Sequence, residues 1–442
     1  MRSFGPAGRA ALQRGLESVL SEESFLSDDF IRQLVSVGEV DVLVAIRSRN
    51  DAKTVGGAVR AAEDCLQRKF GRQRAVLVHV DAGSRDGTPE AAREASQLGA
   101  PNGYESLRTL RWIQTDTGSS AGEEQVLRTI LSAVELLHAR SCAVVSASLE
   151  SLDPAWIDSL LGPVHRESFD FVAPLYERHK FDGLLTRNLL YPFSRALFGK
   201  AMRELPATEF AFSGRLASQA LARPELHSEG AQAGGDMWMA INAMSNGFQC
   251  CQTYLGKKPR ATSSAGIVDV IRQTVGGFFW CIESTDSFWL KGLTAEELKT
   301  IGPDHDVTTE SVHVDRKKLL QMFRSGIDEL SEILGSILTP ETHAELKRLG
   351  GQEEHAFHMD NSLWARTILE FAVAYHHSVL HRDHLVQALV PVYRGRVCSF
   401  LAQHRSSSAD AIEADLEDLC HEFLQQRAAF IERWSTKGKV ET

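Results

Sequence analysis

Apolar residues in the first 300 positions form short runs separated by polar turns and by segments with helical spacing. Mostly aliphatic runs, typical of strands buried on both faces of a parallel sheet, occur at residues 40–46, 75–80 and 142–145. Segments in which apolar residues recur every three or four positions follow at residues 52–70, 89–98 and 123–140. These repeated strand–turn–helix units predict an α/β domain with a mostly parallel central sheet.

The pattern changes after residue 293, where the strand-like runs end. Residues 302–306 are predicted to form a linker, and most of the chain from there to residue 434 has helical spacing. Thr339 and Pro340 indicate a helix start, with a capping hydroxyl and a proline in the first turn. One apolar helix face is marked by Ile412, Leu416, Leu419, Phe423 and Phe430. The predicted organisation is a helical segment at 1–39, an α/β domain at 40–300 and an all-helical domain at 308–442.

Polar side chains gather where the first two predicted strands end. The first strand runs into Arg47, Asn50 and Asp51, and the second runs into Asp81 and the turn of residues 81–88. In open α/β sheets, ligands bind beyond the carboxyl ends of the strands, so these side chains are expected to face one cleft. A carboxylate that only caps the following helix is the alternative explanation for Asp81.

The turn sequence Asp-Ala-Gly-Ser-Arg-Asp-Gly-Thr at residues 81–88, placed after the second of two strand–loop–helix units, carries a specific resemblance. It resembles the start of a family 2-type glycosyltransferase of the GT-A fold, and is most similar to mannosylglycerate and glucosyl-3-phosphoglycerate synthases. The resemblance covers about residues 40–289. It implies a nucleotide-sugar donor, whose base would be read at Asp81, and hexose transfer to a small anionic acceptor such as glycerate or phosphoglycerate.

The chain departs from this family where the family binds metal and phosphate. Relatives hold Mn or Mg with an Asp-x-Asp motif and a histidine, and Ser146, Ser148 and Arg260 stand at those positions here. Serine hydroxyls are poor ligands for hard divalent cations, so no metal cofactor is expected. The family's phosphate-binding Gly-Lys-Gly turn keeps Gly122 but has Glu123 in place of the lysine. The guanidinium of Arg260 offers a fixed positive charge that suits metal-independent transfer.

The remaining site residues are assigned through the resemblance. Lys258 and Arg260 follow the family's Leu-Gly-x-Lys-x-His pattern and are assigned to the nucleotide-sugar, together with Arg47, Asn50, Asp51, Asp81, Gly122, Ser146 and Ser148. Glu209 and Asp236 are the predicted catalytic carboxylates, and Asp236 is expected to open a helix, where capping alone is the alternative. The acceptor is assigned to Arg178, His179, Lys180, Arg203 and Thr208. Plain surface charge is the alternative for the basic residues in this set.

Composition limits the class of partner and the compartment. With a net charge of −10, the chain lacks the basic excess that nucleic acids require. Seven cysteines without regular spacing argue for reduced thiols rather than a disulfide framework. No stretch approaches the about 18 uncharged residues of a membrane span, and residues 1–14 lack the apolar core of a signal peptide, so a cytoplasmic location is expected. A homo-oligomer is left open.

Two groups of histidines have spacings that a metal could use. His377, His381 and His384 would share one helical face, and His355 and His358 another. Exposed surface histidines are the commoner explanation, because no cysteine or paired carboxylate completes either set.

Two functions from different classes remain. One is a metal-independent glycosyltransferase, and the other is a catalytically degenerate relative that keeps the fold for binding or assembly. The positions that separate them are Glu123, Ser146, Ser148 and Arg260.

Overall fold

The computed structural model describes residues 26–98, 110–118, 123–205, 207–228, 231–258, 266–292, 295–303, 307–308 and 315–436. The chain divides into two compact units. The first unit draws on Met1–Leu175, Ala207–Ser264 and Lys299–Gly302. The second draws on Tyr176–Pro206, Ala265–Leu298 and Pro303–Thr442. The chain therefore passes between the units several times. The domain boundaries predicted near residues 300 and 308 stay a prediction.

The strands belong mainly to the first unit. They are β1 Val42–Ser48, β2 Ala75–Asp81, β3 Leu110–Asp116, β4 Ser141–Ser146, β5 Phe171–His179, β6 Phe210–Ser213, β7 Cys250–Lys257 and β8 Lys299–Ile301, and a short strand β9, Val307–Thr308, pairs with the end of β5. Their order in the sheet is β3-β2-β1-β4-β6-β5-β7-β8. Strands β1 to β4 are parallel, whereas β6 runs antiparallel to β4 and β5.

Helices follow most of the strands. In the first unit they are α1 Asp28–Val37, α2 Val55–Phe70, α3 Thr88–Leu98, α4 Glu123–Leu136, α5 Pro154–Glu167, α7 Gly214–Leu221 and α8 Ala231–Ser245, with a 3-10 turn at Pro224–His227. Strands β2 and β4 are buried along their whole length, as two-sided helix cover requires. The predicted fold class, a mostly parallel α/β sheet with a helical C-terminal region, is confirmed.

The second unit is built almost entirely from helices. They are a π-helical turn Thr186–Leu190, α6 Tyr191–Phe198, α9 Ile267–Ser284, α10 Asp286–Trp289, α11 Arg316–Glu329, α12 Ser331–Ile337, α13 Pro340–Gly350, α14 Asn361–His376, α15 Arg382–Gln403 and α16 Ala409–Ser435. The Phe193 ring lies 5.4–5.6 Å from the rings of Phe278, Phe423 and Phe430. Such aromatic contacts explain why α6 and α9 group with the C-terminal helices.

Local details agree with several predictions. Thr339 caps α13 by accepting a hydrogen bond from the backbone N–H of Thr342, and Pro340 occupies its first turn. The five apolar residues predicted to share one face of the last helix are all buried. All seven cysteines are buried thiols outside any disulfide. Among the described helices, none is both long and apolar enough to cross a membrane.

Two local predictions are wrong. Helix α8 begins at Ala231, so Asp236 lies inside the helix, because the two glycines before it are buried helical residues rather than a turn. The predicted linker at 302–306 stays a prediction, because residues 304–306 lie outside the described residues. His377 and His381 flank the break between α14 and α15, so one continuous helical face does not join them.

Candidate functional site

The turns that follow β1 and β2 are tied to each other by hydrogen bonds. The backbone N–H of Asn50 donates to Ser84 Oγ at 2.7 Å, and the side-chain oxygen of Asn50 accepts from the N–H of Arg85 at 2.9 Å. The N–H of Asp51 donates to Thr88 Oγ1 at 2.8 Å. Two turns that are locked in this way form a rigid platform at the carboxyl edge of the sheet, and both Asn50 and Asp51 are part of it.

Asp81 ends the central parallel strand β2, as predicted, and lies opposite Ser48 in the sheet register. Its carboxylate is fully buried. Oδ1 accepts hydrogen bonds from the hydroxyls of Ser48 at 2.6 Å and Ser84 at 2.7 Å, and Oδ2 accepts from the N–H of Ser84 at 2.7 Å. Asp81 therefore organises the turn that follows β2. Its role as the base-reading residue stays a prediction.

His79 and Ser48 extend this buried network, and sequence reasoning missed both of them. Ser48 Oγ lies 2.8 Å from Nε2 of His79, which is completely buried in β2. Burial lowers the pKa of His79 to about 4, and the nearby charge of Asp81 opposes this shift only in part. The imidazole is therefore neutral at pH 7. The sequence feature that could have revealed His79 is its position as the one polar residue in the aliphatic run of residues 75–80.

We expect His79 to make the stability of the first unit depend on pH. An unfolded histidine titrates near pH 6.5, whereas folded His79 titrates near pH 4. Between these pH values the unfolded chain binds more protons at this residue than the folded chain does. The contribution of His79 to the free energy of unfolding is therefore complete above pH 6.5 and is lost as the pH falls toward 4. The loss is about 3 kcal/mol of unfolding free energy. Urea unfolding of His79→Gln at pH 7 and pH 4.5 should show a smaller pH dependence than the natural protein. Replacing the exposed His227 with glutamine should leave it unchanged.

An ion pair joins the end of β1 to helix α8. Arg47 donates through Nη1 to Oδ2 of Asp236, and through Nη2 to the backbone carbonyl of Thr208 at 3.1 Å. The side chains of Arg47 and Asp236 are only 12% and 14% exposed. At this depth the attraction is screened less than at the surface, and each charge depends on the other for compensation.

A second ion pair lies beside the first. Glu209 is fully buried, and its carboxylate accepts hydrogen bonds from Lys258 Nζ at 3.0 Å and from the hydroxyl of Thr208 at 2.6 Å. Lys258 Nζ also lies 3.4 Å from Thr208 Oγ1. Because Thr208 contacts both cations, the residues Arg47, Thr208, Glu209, Asp236 and Lys258 form one network, which we call the strand-edge ion cluster. It unites both predicted catalytic carboxylates, two of the predicted donor-binding cations and one predicted acceptor residue.

A pair of hydroxyls occupies the positions where the sequence resemblance would place an Asp-x-Asp motif. Ser146 ends β4 beside Arg47 in the sheet, and its Oγ lies 2.8 Å from Ser148 Oγ. The N–H of Ser148 also donates to Ser146 Oγ at 3.2 Å. Two neutral hydroxyls bonded to each other do not fit a divalent cation. Within the described residues, no group of three or more His, Cys, Asp or Glu side chains could hold a metal ion. Gly122 and Arg260 lie outside the described residues.

Most of the predicted acceptor residues are engaged within the second unit. Arg178 donates to both carboxylate oxygens of Glu204 at 2.6 Å, and Arg203 donates to Glu413 at 2.6 Å. Lys180 is buried and donates to the carbonyl of Arg405 at 3.1 Å. His179 Nδ1 accepts from the N–H of Phe181 at 3.2 Å. These contacts stabilise the helical unit, and a role for these four residues in acceptor binding stays a prediction.

No family model matches the chain, and no curated protein sequence matches it. Among solved structures, it is similar to glucosyl-3-phosphoglycerate synthase from Mycobacterium tuberculosis. The complex of that enzyme with Mn2+, uridine-diphosphate and glucosyl-3-phosphoglycerate has 16% sequence identity and a TM-score of 0.42, over 58% of this chain and 84% of that chain. The complex with Mn2+, uridine-diphosphate-glucose and phosphoglyceric acid has 15% identity and a TM-score of 0.42, with the same coverage. The activities and ligands in these descriptions are those of the mycobacterial enzyme.

Proposed function

We propose that this chain is a glycosyltransferase that moves a hexose from a nucleotide-sugar to a small anionic acceptor, such as glycerate or phosphoglycerate, without a divalent metal. The observation that carries this proposal is the strand-edge ion cluster, which places two cations and two carboxylates at the carboxyl edge of a parallel sheet. Ligands of open α/β sheets bind at this edge. The sequence resemblance over residues 40–289 supplies the reaction class.

In this proposal the side chains of Arg47 and Lys258 take the place of a divalent metal ion. Arg47 and Lys258 would balance the negative charge that develops on the diphosphate as its bond to the anomeric carbon breaks. Either Glu209 or Asp236 would accept the proton of the acceptor hydroxyl while its oxygen forms the new bond to that carbon. Each carboxylate already contacts one of the two cations, so donor phosphate and catalytic carboxylates would compete for the same partners.

Calorimetric titration of the pure protein with UDP- and GDP-sugars, in EDTA and then in Mn, tests the proposal. We expect the affinity to be the same in both conditions and to fall in Arg260→Ala and Arg47→Ala. The exposed neighbour Arg49 offers a matched control, because Arg49→Ala removes the same charge two residues away. A more than tenfold tightening by Mn would contradict metal independence. Glycerate and 3-phosphoglycerate are then tested as acceptors by product formation.

A non-catalytic binding or assembly module is the second candidate, and one observation favours it. The Asp81 carboxylate is fully buried and bonded to the chain's own groups, so it does not face open space as a base-reading residue would. If neither UDP- nor GDP-sugars bind at millimolar concentration, this second candidate replaces the transferase.

A further inference from the structure

Three side chains form a hydrogen-bonded relay in the second unit, where α15 ends and α16 begins. Oγ of Ser407 lies 3.2 Å from Nδ1 of His404, and Nε2 of the same ring lies 2.9 Å from Oδ2 of Asp415. The hydroxyl of Ser407 can instead donate its single proton to the carbonyl of Gln403, at the longer distance of 3.4 Å. A hydroxyl, an imidazole and a carboxylate in this order are the elements of an activated serine nucleophile.

The carboxylate decides which ring nitrogen of His404 carries the proton. Burial would raise the pKa of Asp415, but the hydrogen bond from His404 and the charge of Arg396 lower it below its ordinary value. An ionised carboxylate only accepts hydrogen bonds, so the neutral ring donates from Nε2. Nδ1 is then the acceptor that faces the Ser407 hydroxyl, as a general base must.

The ring and the carboxylate are both held in place. The His404 side chain is only 3% exposed, and its ring centroid lies 4.4 Å from that of Phe400. The second oxygen of Asp415 accepts hydrogen bonds from Asn361 at 3.1 Å and from Gln403 at 3.0 Å. Both groups are therefore fixed before any reagent arrives.

Ser407 itself is partly exposed and lies directly before a long helix. Ser408 caps α16 by accepting a hydrogen bond from the N–H of Ala411 at 3.3 Å. The N–H groups of the first turn of a helix have no intrahelical acceptor, and the partial positive charge of this end of α16 favours the negative charge of an oxyanion. The exposed Asp410 carboxylate adds negative charge to this turn, which disfavours anionic reagents.

We propose that Ser407 is a nucleophile for acyl transfer, with His404 as its general base and Asp415 as a positioning residue, and that it accepts small uncharged esters. Ser407 Oγ bonds to the acyl carbon while its proton passes to His404 Nδ1. The ester bond then breaks, and the leaving alcohol takes that proton. Water attacks the acyl-serine in the same way and releases the acid, so the protein is regenerated.

A fluorophosphonate ester tests this on the full-length protein. Ser407 Oγ should attack phosphorus and displace fluoride, leaving an adduct that peptide mass spectrometry locates. We expect the adduct on Ser407 and its loss in Ser407→Ala. The exposed Ser406 is the matched control, since Ser406→Ala removes a hydroxyl from the same turn and should leave the rate unchanged. Comparable modification of Ser406 and Ser407, or none at Ser407, overturns the proposal.

Variants of His404 and Asp415 test the role of each residue, and each loss of labelling should be partly reversible. His404→Ala should slow the labelling of Ser407 by about 100-fold or more, and added imidazole should restore part of it. Asp415→Asn should also slow the labelling, and Asp415→Glu should recover part of that loss. If Asp415 had only a structural role between α15 and α16, its replacement would change the melting temperature and leave the labelling rate unchanged. Unchanged labelling in His404→Ala overturns the base assignment. If His404→Ala does not fold, His404→Gln, which keeps most of the buried volume, is used with the same expected loss.

Discussion

Replacing Asp236 with alanine is expected to lower the free energy of unfolding of the first unit by about 3–5 kcal/mol. The loss is large because Arg47 is only 12% exposed and would keep its charge without its carboxylate partner. Chemical denaturation of the natural protein and of Asp236→Ala, followed by far-ultraviolet circular dichroism, measures the difference. The pair joins residues that are 189 positions apart, so its loss also removes a link between β1 and α8.

An exposed ion pair in the same unit is the control. Arg32 and Asp29 lie 3.5 Å apart on α1 with side chains 74% and 72% exposed, and Asp29→Ala should cost less than about 1 kcal/mol. The double replacement Arg47→Met with Asp236→Leu should recover much of the loss, because no charge is then buried alone. Equal effects of Asp236→Ala and Asp29→Ala would show that the Arg47 contact contributes little in solution.

Introducing the metal ligands of the glycosyltransferases that the sequence resembles should create a manganese site. The triple variant Ser146→Asp, Ser148→Asp and Arg260→His supplies two carboxylates and an imidazole, whereas the natural residues offer hydroxyls and a guanidinium. We expect Mn to raise the stability of this variant by about 2.7 kcal/mol at a concentration of 100 times its Kd. Thermal unfolding with and without Mn measures the shift, which should be absent in the natural protein.

The matched control for the triple variant introduces asparagine instead of aspartate, which keeps the size of the side chains and removes their charge. Ser146→Asn with Ser148→Asn should bind Mn weakly or not at all. Adding Glu123→Lys to the triple variant should then improve nucleotide-sugar binding, because an ammonium replaces a carboxylate at the start of α4. If the natural protein is an active metal-independent transferase, the triple variant should lose that activity, since it removes Arg260. Retained activity in the triple variant would show that Arg260 is not the working cation.

The sequence by itself determined much of the secondary structure and much of the chemistry available to the chain. The aliphatic runs that became β1, β2 and β4 and the helical spacing of the last 130 residues depend on neighbours within a few positions, so local patterns report them. The same holds for the Thr339 cap. Ser146 and Ser148 are equally plain from the sequence, because a residue type needs no fold to be recognised as a poor ligand.

Only the tertiary structure decided what each charged residue contacts. The sequence placed Asp81 at the end of its strand, and only the structure shows that Ser48 and Ser84 donate hydrogen bonds to its carboxylate. The sequence assigned Arg203 to an acceptor, which stays a prediction, and only the structure shows that Arg203 donates to Glu413, 210 positions away. Asp236 was predicted to open a helix, yet it pairs with Arg47 from inside α8. The energy of an ion pair depends on the distance and burial of its two ends, and these are set by the order of strands and the packing of helices, which local periodicity does not encode.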